Sequence, residues 1–188
     1  MLVFSLVFSR RYSMAHRLIA GTSEKCSTPH GHNEIVTVQL RAKRPAALCG
    51  HVNMVEIFER AKSTWHGWID NHVDHALQLS DSDPLLEFFR QTEKHRLGRI
   101  LVTQGDPTTE MLAACMMSKI NAFLHADGGR LVCRHIAIEE TPTNTVSFDG
   151  DPRDVLPDAT PGWWTRADMS INDLQAASVH ADRAPVLA

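Results

Sequence analysis

The stretch His30-Gly31-His32-Asn33-Glu34-Ile35-Val36-Thr37-Val38-Gln39-Leu40-Arg41-Ala42-Lys43 decides the fold class. From Glu34 onward it alternates. Val36, Val38, Leu40 and Ala42 point one way, and Thr37, Gln39, Arg41 and Lys43 the other. Side chains change faces at every residue of a strand, so this is a strand with one buried face. Arg44-Pro45 breaks it. Upstream, Leu2, Phe4, Leu6 and Phe8 alternate with Val3, Ser5, Val7 and Ser9, which predicts a first strand. That run is too short to cross a membrane. Arg10 and Arg11 follow it rather than precede it, so it does not read as a secretory leader.

Downstream the period lengthens. Ile57, Ala61, Trp65, Trp68 and Ile69 fall on one helical stripe within 54–72. Asp83-Pro84 is a helix start, and residues 99–103 read as a short strand or an extended link. Asp106-Pro107-Thr108-Thr109-Glu110 starts a second long helix, which Asp127-Gly128-Gly129 ends. Residues 131–141 and 145–148 read as two strands joined by a Pro142-Thr143-Asn144 turn. The order predicts an α+β fold, an antiparallel sheet with helices on one face. After Asp149 the composition shifts toward Asp and Pro. Residues 1–149 therefore read as the domain and 150–188 as an extension, docked by Trp163-Trp164, with a short helix possible at 171–179.

A chain of 188 residues with 43% apolar content can build one real core. Nineteen basic against 22 acidic residues leave a net charge of −3, which argues against nucleic-acid binding driven by bulk charge, and no segment reads as a membrane span. Cys26, Cys49, Cys115 and Cys133 are widely spaced, with no C-x-x-C. The expectation is a cytoplasmic protein without a disulfide framework.

Eleven histidines are many for this length. His30 and His32 lie two apart on a strand, so both imidazoles reach the same side. If the first two strands form a hairpin, His16 comes near them. Three histidines without an obvious fourth protein ligand describe a catalytic zinc site with an open position. The competing reading is a chance His-x-His pair on an exposed strand. Cys26, in a loop of Ser, Thr and Pro, fits a fourth ligand, a thiol acting as base or nucleophile, or an inert side chain. Asp74-His75 can orient and charge an imidazole, although adjacent residues often do not face each other. His51, His66, Asp70 and His72 read as surface or helix-face residues. Glu139 and Glu140 point to opposite faces of their strand, so only one can aim at a ligand, and a carboxylate suits a paired N–H edge.

Taken together, Ala15-His16-Arg17-Leu18, Cys26-Ser27-Thr28-Pro29-His30-Gly31-His32-Asn33, Val73-Asp74-His75, Asp106-Pro107-Thr108-Thr109-Glu110 and Glu140-Thr141 resemble, in order and over residues 2–148, the 6-pyruvoyl-tetrahydropterin synthase and 6-carboxytetrahydropterin synthase family. The resemblance implies the tunnelling fold: a four-stranded antiparallel sheet with two long helices on one face. It implies trimers stacked into a homohexamer, with sites at subunit interfaces. It implies Zn2+ on His16, His30 and His32, catalysis by Cys26, Asp74 and His75, and a pterin substrate held by Glu140 beside Thr108 and Thr109. The family substrate is 7,8-dihydroneopterin triphosphate. Three residues separate Cys26 from His30, a compact form similar to the 6-carboxytetrahydropterin branch of the queuosine and deazapurine pathway. The folate-pathway relatives carry a glutamate at or beside the cysteine position; Glu24 is two residues away and does not match that signature. The segment Gly50-His51-Val52-Asn53-Met54-Val55, the Ala76-Leu77-Gln78-Leu79 run and the long tail depart from the family pattern.

Overall fold

The computed structural model describes residues 4–21, 23–43, 50–156 and 161–174. Cys49, the Arg44-Pro45 break and most of the helix expected at 171–179 lie outside these, and 171–174 are not helical. Strands β1 (Ser5–His16) and β2 (His30–Ala42) pair antiparallel along their length, from Ser5 opposite Arg41 to His16 opposite His30. β1 is therefore longer than its apolar alternation. Arg10 takes a core-phase position at the sheet's margin and sends its guanidinium onto Asp70, with two contacts of 2.6 Å.

The β1–β2 loop holds α1 (Glu24–Ser27), and between β2 and the C-terminal strands run α2 (Phe58–Trp68), β3 (Ala76–Ser80), α3 (Pro84–Gln91), β4 (Ile100–Thr103) and α4 (Thr109–Ala126). β5 (Leu131–Thr141) and β6 (Asn144–Asp149) then form the expected hairpin. The sheet has six strands in the order β4-β3-β1-β2-β5-β6. This corrects the expected four-stranded antiparallel sheet. β1, β2, β5 and β6 are antiparallel, but β3 and β4 join as short parallel strands beside the end of β1. Ala76, Leu79 and Ser80 are all buried, so β3 has no alternating pattern to announce it.

One face of the sheet carries the core. Val36, Val38, Leu40, Ile136 and Ile138 are fully buried there under α4 and under Trp65 and Trp68 of α2. A register shift near Gln39 and Leu40 lets both Cys133 and Ile136 reach that face. α4 is buried around most of its girth because residues 161–174 cover its far side. Trp163, completely buried, stacks on Trp68 with ring centroids 5.9 Å apart. Lys119 of α4 is also fully buried. Its ammonium donates to the Trp163 carbonyl (3.0 Å) and to Asp168 (3.2 Å), and lies over the Phe123 ring at 5.3 Å. Burial pulls its pKa down to about 8 against the opposing pull of Asp168. The same segment occupies the outer edge of β4. Ile171 accepts from the Val102 N–H at 3.1 Å, and Trp163 Nε1 donates to the Val102 carbonyl at 2.7 Å. An edge strand's unpaired groups are thereby satisfied. Among the described residues no helix is long and apolar enough to cross a membrane.

Candidate metal centre and pocket

The β1–β2 register puts three histidines at one end of the core-facing side. His16 is opposite His30, and His32 is opposite Met14 on the same face. Among the described residues, the ligand atoms of these three lie within 4.8 Å of one another. His16 Nδ1 is 3.0 Å from the Pro107 carbonyl and His30 Nδ1 is 2.8 Å from the Thr28 carbonyl. A carbonyl only accepts, so both Nδ1 atoms carry hydrogens and both Nε2 atoms present lone pairs. Those two Nε2 atoms face each other at 3.1 Å. Two lone pairs at that distance repel unless a cation lies between them. Tetrahedral zinc, with bonds of about 2.0–2.1 Å to nitrogen, wants its ligands roughly 3.3 Å apart. The carbonyl-anchored second nitrogens are also the orientation that metal-bound imidazoles favour. The residues therefore fit a zinc ion. His16 is buried, and that burial lowers its pKa, which keeps the ring neutral and able to ligate.

The loop that closes the site is held from both sides. Asp106, just before α4, accepts from the N–H groups of Ile19 (2.8 Å) and Ala20 (2.9 Å). Arg17 forks onto the buried Asp83 carboxylate, at 2.8 and 2.5 Å, while Asp83 also caps α3. Ser23 caps the short helix that carries Cys26. Cys26, partly exposed, lines a pocket of about 630 Å³ together with the three histidines, Thr109 and Glu140. It does not belong to the cluster of ligand atoms within 4.8 Å.

Glu140 lies on the histidine side of the sheet and Glu139 is exposed on the other, as strand alternation requires. The Thr109 hydroxyl donates to Glu140 Oε1 at 2.6 Å, whereas Thr108 caps α4 by accepting from Met111. The two threonines thus have separate local partners. Extending the β2–β5 register by one residue puts Glu34 beside Glu140, and Glu34 is opposite Tyr12. Sequence reasoning passed over this pair. The parity signal was present, because Glu34 shares the phase of His30, His32 and Val36. The Tyr12 hydroxyl donates to Glu34 at 2.6 Å. Burial, with Glu140 nearby, raises the Glu34 pKa to about 7, against the opposing effect of the Tyr12 bond.

A raised folded-state pKa means the stabilising contribution is complete below the unfolded value and is lost as pH rises through the folded one. For Glu34 that window runs from about 4.5 to about 7. Glu34→Gln should therefore flatten the pH dependence of unfolding free energy. Between pH 5 and 8 wild type should lose on the order of 3 kcal/mol relative to the variant. Denaturant titrations at the two pH values check this, and parallel losses would disprove it.

Asp74 and His75 are elsewhere. Asp74 accepts from the Ser13 N–H at 2.8 Å, and His75 Nδ1 lies 2.9 Å from Asp74 Oδ2. The neighbours can face each other because His75 has φ 62°, a left-handed conformation that returns its ring toward the preceding side chain. The Ser13 N–H, then His75 and Arg99, hold the Asp74 carboxyl below its usual range. The His75 side chain is 79% exposed, and neither residue lines the histidine pocket of its own chain.

An α+β sheet whose buried face ends in three histidines able to hold a metal, beside a thiol and a carboxylate, forms a pocket of small-molecule size. Comparisons place it further. The model of the 6-pyruvoyl tetrahydropterin synthase family matches residues 5–151, and the chain belongs to that family. It is 28% identical over 131 residues to the 6-carboxy-5,6,7,8-tetrahydropterin synthase of Rickettsia bellii, covering 70% of this chain and 89% of that one. The structure of Caenorhabditis elegans 6-pyruvoyl tetrahydropterin synthase superposes with TM-score 0.54 at 25% identity, over 80% of this chain and 98% of that one. An uncharacterised protein from Wolinella succinogenes shares the fold with TM-score 0.65 at 16% identity, over 80% of this chain and all of that one.

Proposed function

We propose that the chain is a zinc-dependent lyase of the cytoplasm that converts 7,8-dihydroneopterin triphosphate to 6-carboxy-5,6,7,8-tetrahydropterin, releasing acetaldehyde and triphosphate, in queuosine and deazapurine precursor synthesis. The observation that carries this reading is that one pocket gathers the histidine nest, Cys26 and the Thr109–Glu140 pair. The names of the curated relatives point the same way. Bound by His16, His30 and His32, zinc supplies Lewis acidity toward the oxygens of the substrate side chain. Cys26 moves a proton at the side-chain carbon it faces. Glu140 accepts the paired N–H groups of the pterin edge, and the Thr109 hydroxyl fixes the carboxylate's rotation. Asp74, half-buried, and His75, exposed, do not line the pocket of their own chain and serve the pocket of a second copy in a homohexamer.

Incubating zinc-loaded protein with dihydroneopterin triphosphate should yield the carboxy product by mass spectrometry, with trapped acetaldehyde. Triphosphate release without acetaldehyde would instead assign the pyruvoyl-forming reaction.

Glu140→Gln should weaken pterin binding by roughly 2 kcal/mol, since it breaks a charge-assisted pair and leaves a ring donor unmatched. Fluorescence titration with a non-reactive pterin measures this directly. Unchanged affinity would move the ring away from Glu140.

A further inference from the structure

The pocket raises a charge problem. A triphosphate ester brings several negative charges, yet among the described residues no lysine or arginine lines it, and Glu110 and Glu140 do. A cleft of about 710 Å³ lies elsewhere, lined by His72, His95, Arg99 and part of segment 166–172. Arg99 is exposed and forms no ion pair among the described residues. Its guanidinium donates to the Asp74 carbonyl at 3.3 Å. Asn172 fixes the backbone on both sides of it, donating to the Leu97 carbonyl at 2.8 Å and the Ile100 carbonyl at 2.6 Å. Asp168 also lines the cleft, but Lys119 and Arg166 answer its charge. His72 has its pKa lowered by burial and then by the positive charge of Arg99 and Lys119.

We propose that Arg99, flanked by His72 and His95, is a polyphosphate site that receives the phosphate chain of a pterin substrate whose ring is bound in the metal pocket of a second copy of this chain. The inference rests on the proposed reaction and deepens it. Arg99 is tied to the backbone of Asp74, so whatever brings Asp74 and His75 to a neighbour's pocket brings the guanidinium too. A planar fork of N–H donors matches phosphate oxygens, and Asn172 holds its backbone in place.

The test compares wild type, Arg99→Ala and Arg99→Lys as zinc-loaded proteins. Arg99→Ala should raise KM for dihydroneopterin triphosphate about tenfold or more, as loss of a charge-assisted contact implies, and by more than kcat falls. Binding of unphosphorylated dihydroneopterin should be unchanged, and Arg99→Lys should recover part of the loss. Turnover by wild type with an unaltered KM in Arg99→Ala would overturn the proposal and leave the reaction standing. An equal loss for the phosphorylated and unphosphorylated pterin would also overturn it. If wild type turns over nothing, the reaction itself is wrong and the substrate role goes with it. Calorimetry with magnesium tripolyphosphate then reads the anion site alone: binding lost in Arg99→Ala keeps it, and equal binding removes it.

Discussion

Cys26→Ala should lower turnover by a factor on the order of 10² or more while the protein keeps its zinc, since a positioned proton-transfer group contributes about that much. The expectation follows from the separation of two sets of atoms. The histidine nitrogens close on one another within 4.8 Å, and Cys26 stands outside that cluster yet lines the same pocket. Its helix is one turn long, capped by Ser23, and its own carbonyl accepts from the Leu18 N–H at 2.8 Å. The loop is thus pinned by backbone bonds that an alanine leaves intact, so fold and metal should survive. Cys26→Ser is the finer probe. It keeps the size but has a far less acidic group, and should recover little. Zinc analysis beside steady-state rates distinguishes the outcomes. Loss of metal together with activity would make Cys26 a fourth ligand and refute the catalytic reading.

Much of this arrangement was legible before any coordinates, for identifiable reasons. β2 announces itself because its two faces meet different media, and the same alternation puts His30 and His32 together. The start at Asp106-Pro107-Thr108-Thr109-Glu110 and the stop at Asp127-Gly128-Gly129 are local backbone chemistry, and α4, Thr109–Ala126, begins and ends there. What stayed hidden depends on tertiary surroundings. Past its apolar alternation β1 carries Arg10 in a core-phase position because Asp70, sixty residues away, receives it at the sheet margin. β3 is packed on all sides and so carries no period. The facing of Asp74 and His75 depends on one left-handed φ that their sequence adjacency argues against. The extension's Trp163-Trp164 was expected to dock, and both are buried; Trp163 stacks on Trp68, and its carbonyl accepts from a buried lysine in a helix that reads as merely apolar. Arg99 is inconspicuous in sequence, and its interest comes from the Asp74 carbonyl and the tail that frame it.

The second large effect concerns the metal. A His30→Ala/His32→Ala variant should lose essentially all bound zinc, because two of three protein ligands are gone. Even the partners that merely orient ligands are worth about 10–100-fold in affinity. The structure adds an expectation about the metal-free state. His16 and His30 each commit Nδ1–H to a carbonyl, which leaves their Nε2 lone pairs opposed at 3.1 Å. Without a cation that contact is unfavourable, so removing one ring should cost the metal-free fold little and can relieve it. The main core also stands apart from these rings, in Val36, Val38, Leu40, Trp68 and α4. The metal-depleted double variant should accordingly unfold at the same denaturant concentration as metal-depleted wild type, or higher. Added zinc should stabilise only wild type, by about 2.7 kcal/mol when free zinc is a hundred times its dissociation constant. Full zinc occupancy in the double variant would remove the three-histidine site. A metal-depleted wild type that is clearly more stable than the double variant would show that the rings are held by their own packing and do not repel one another.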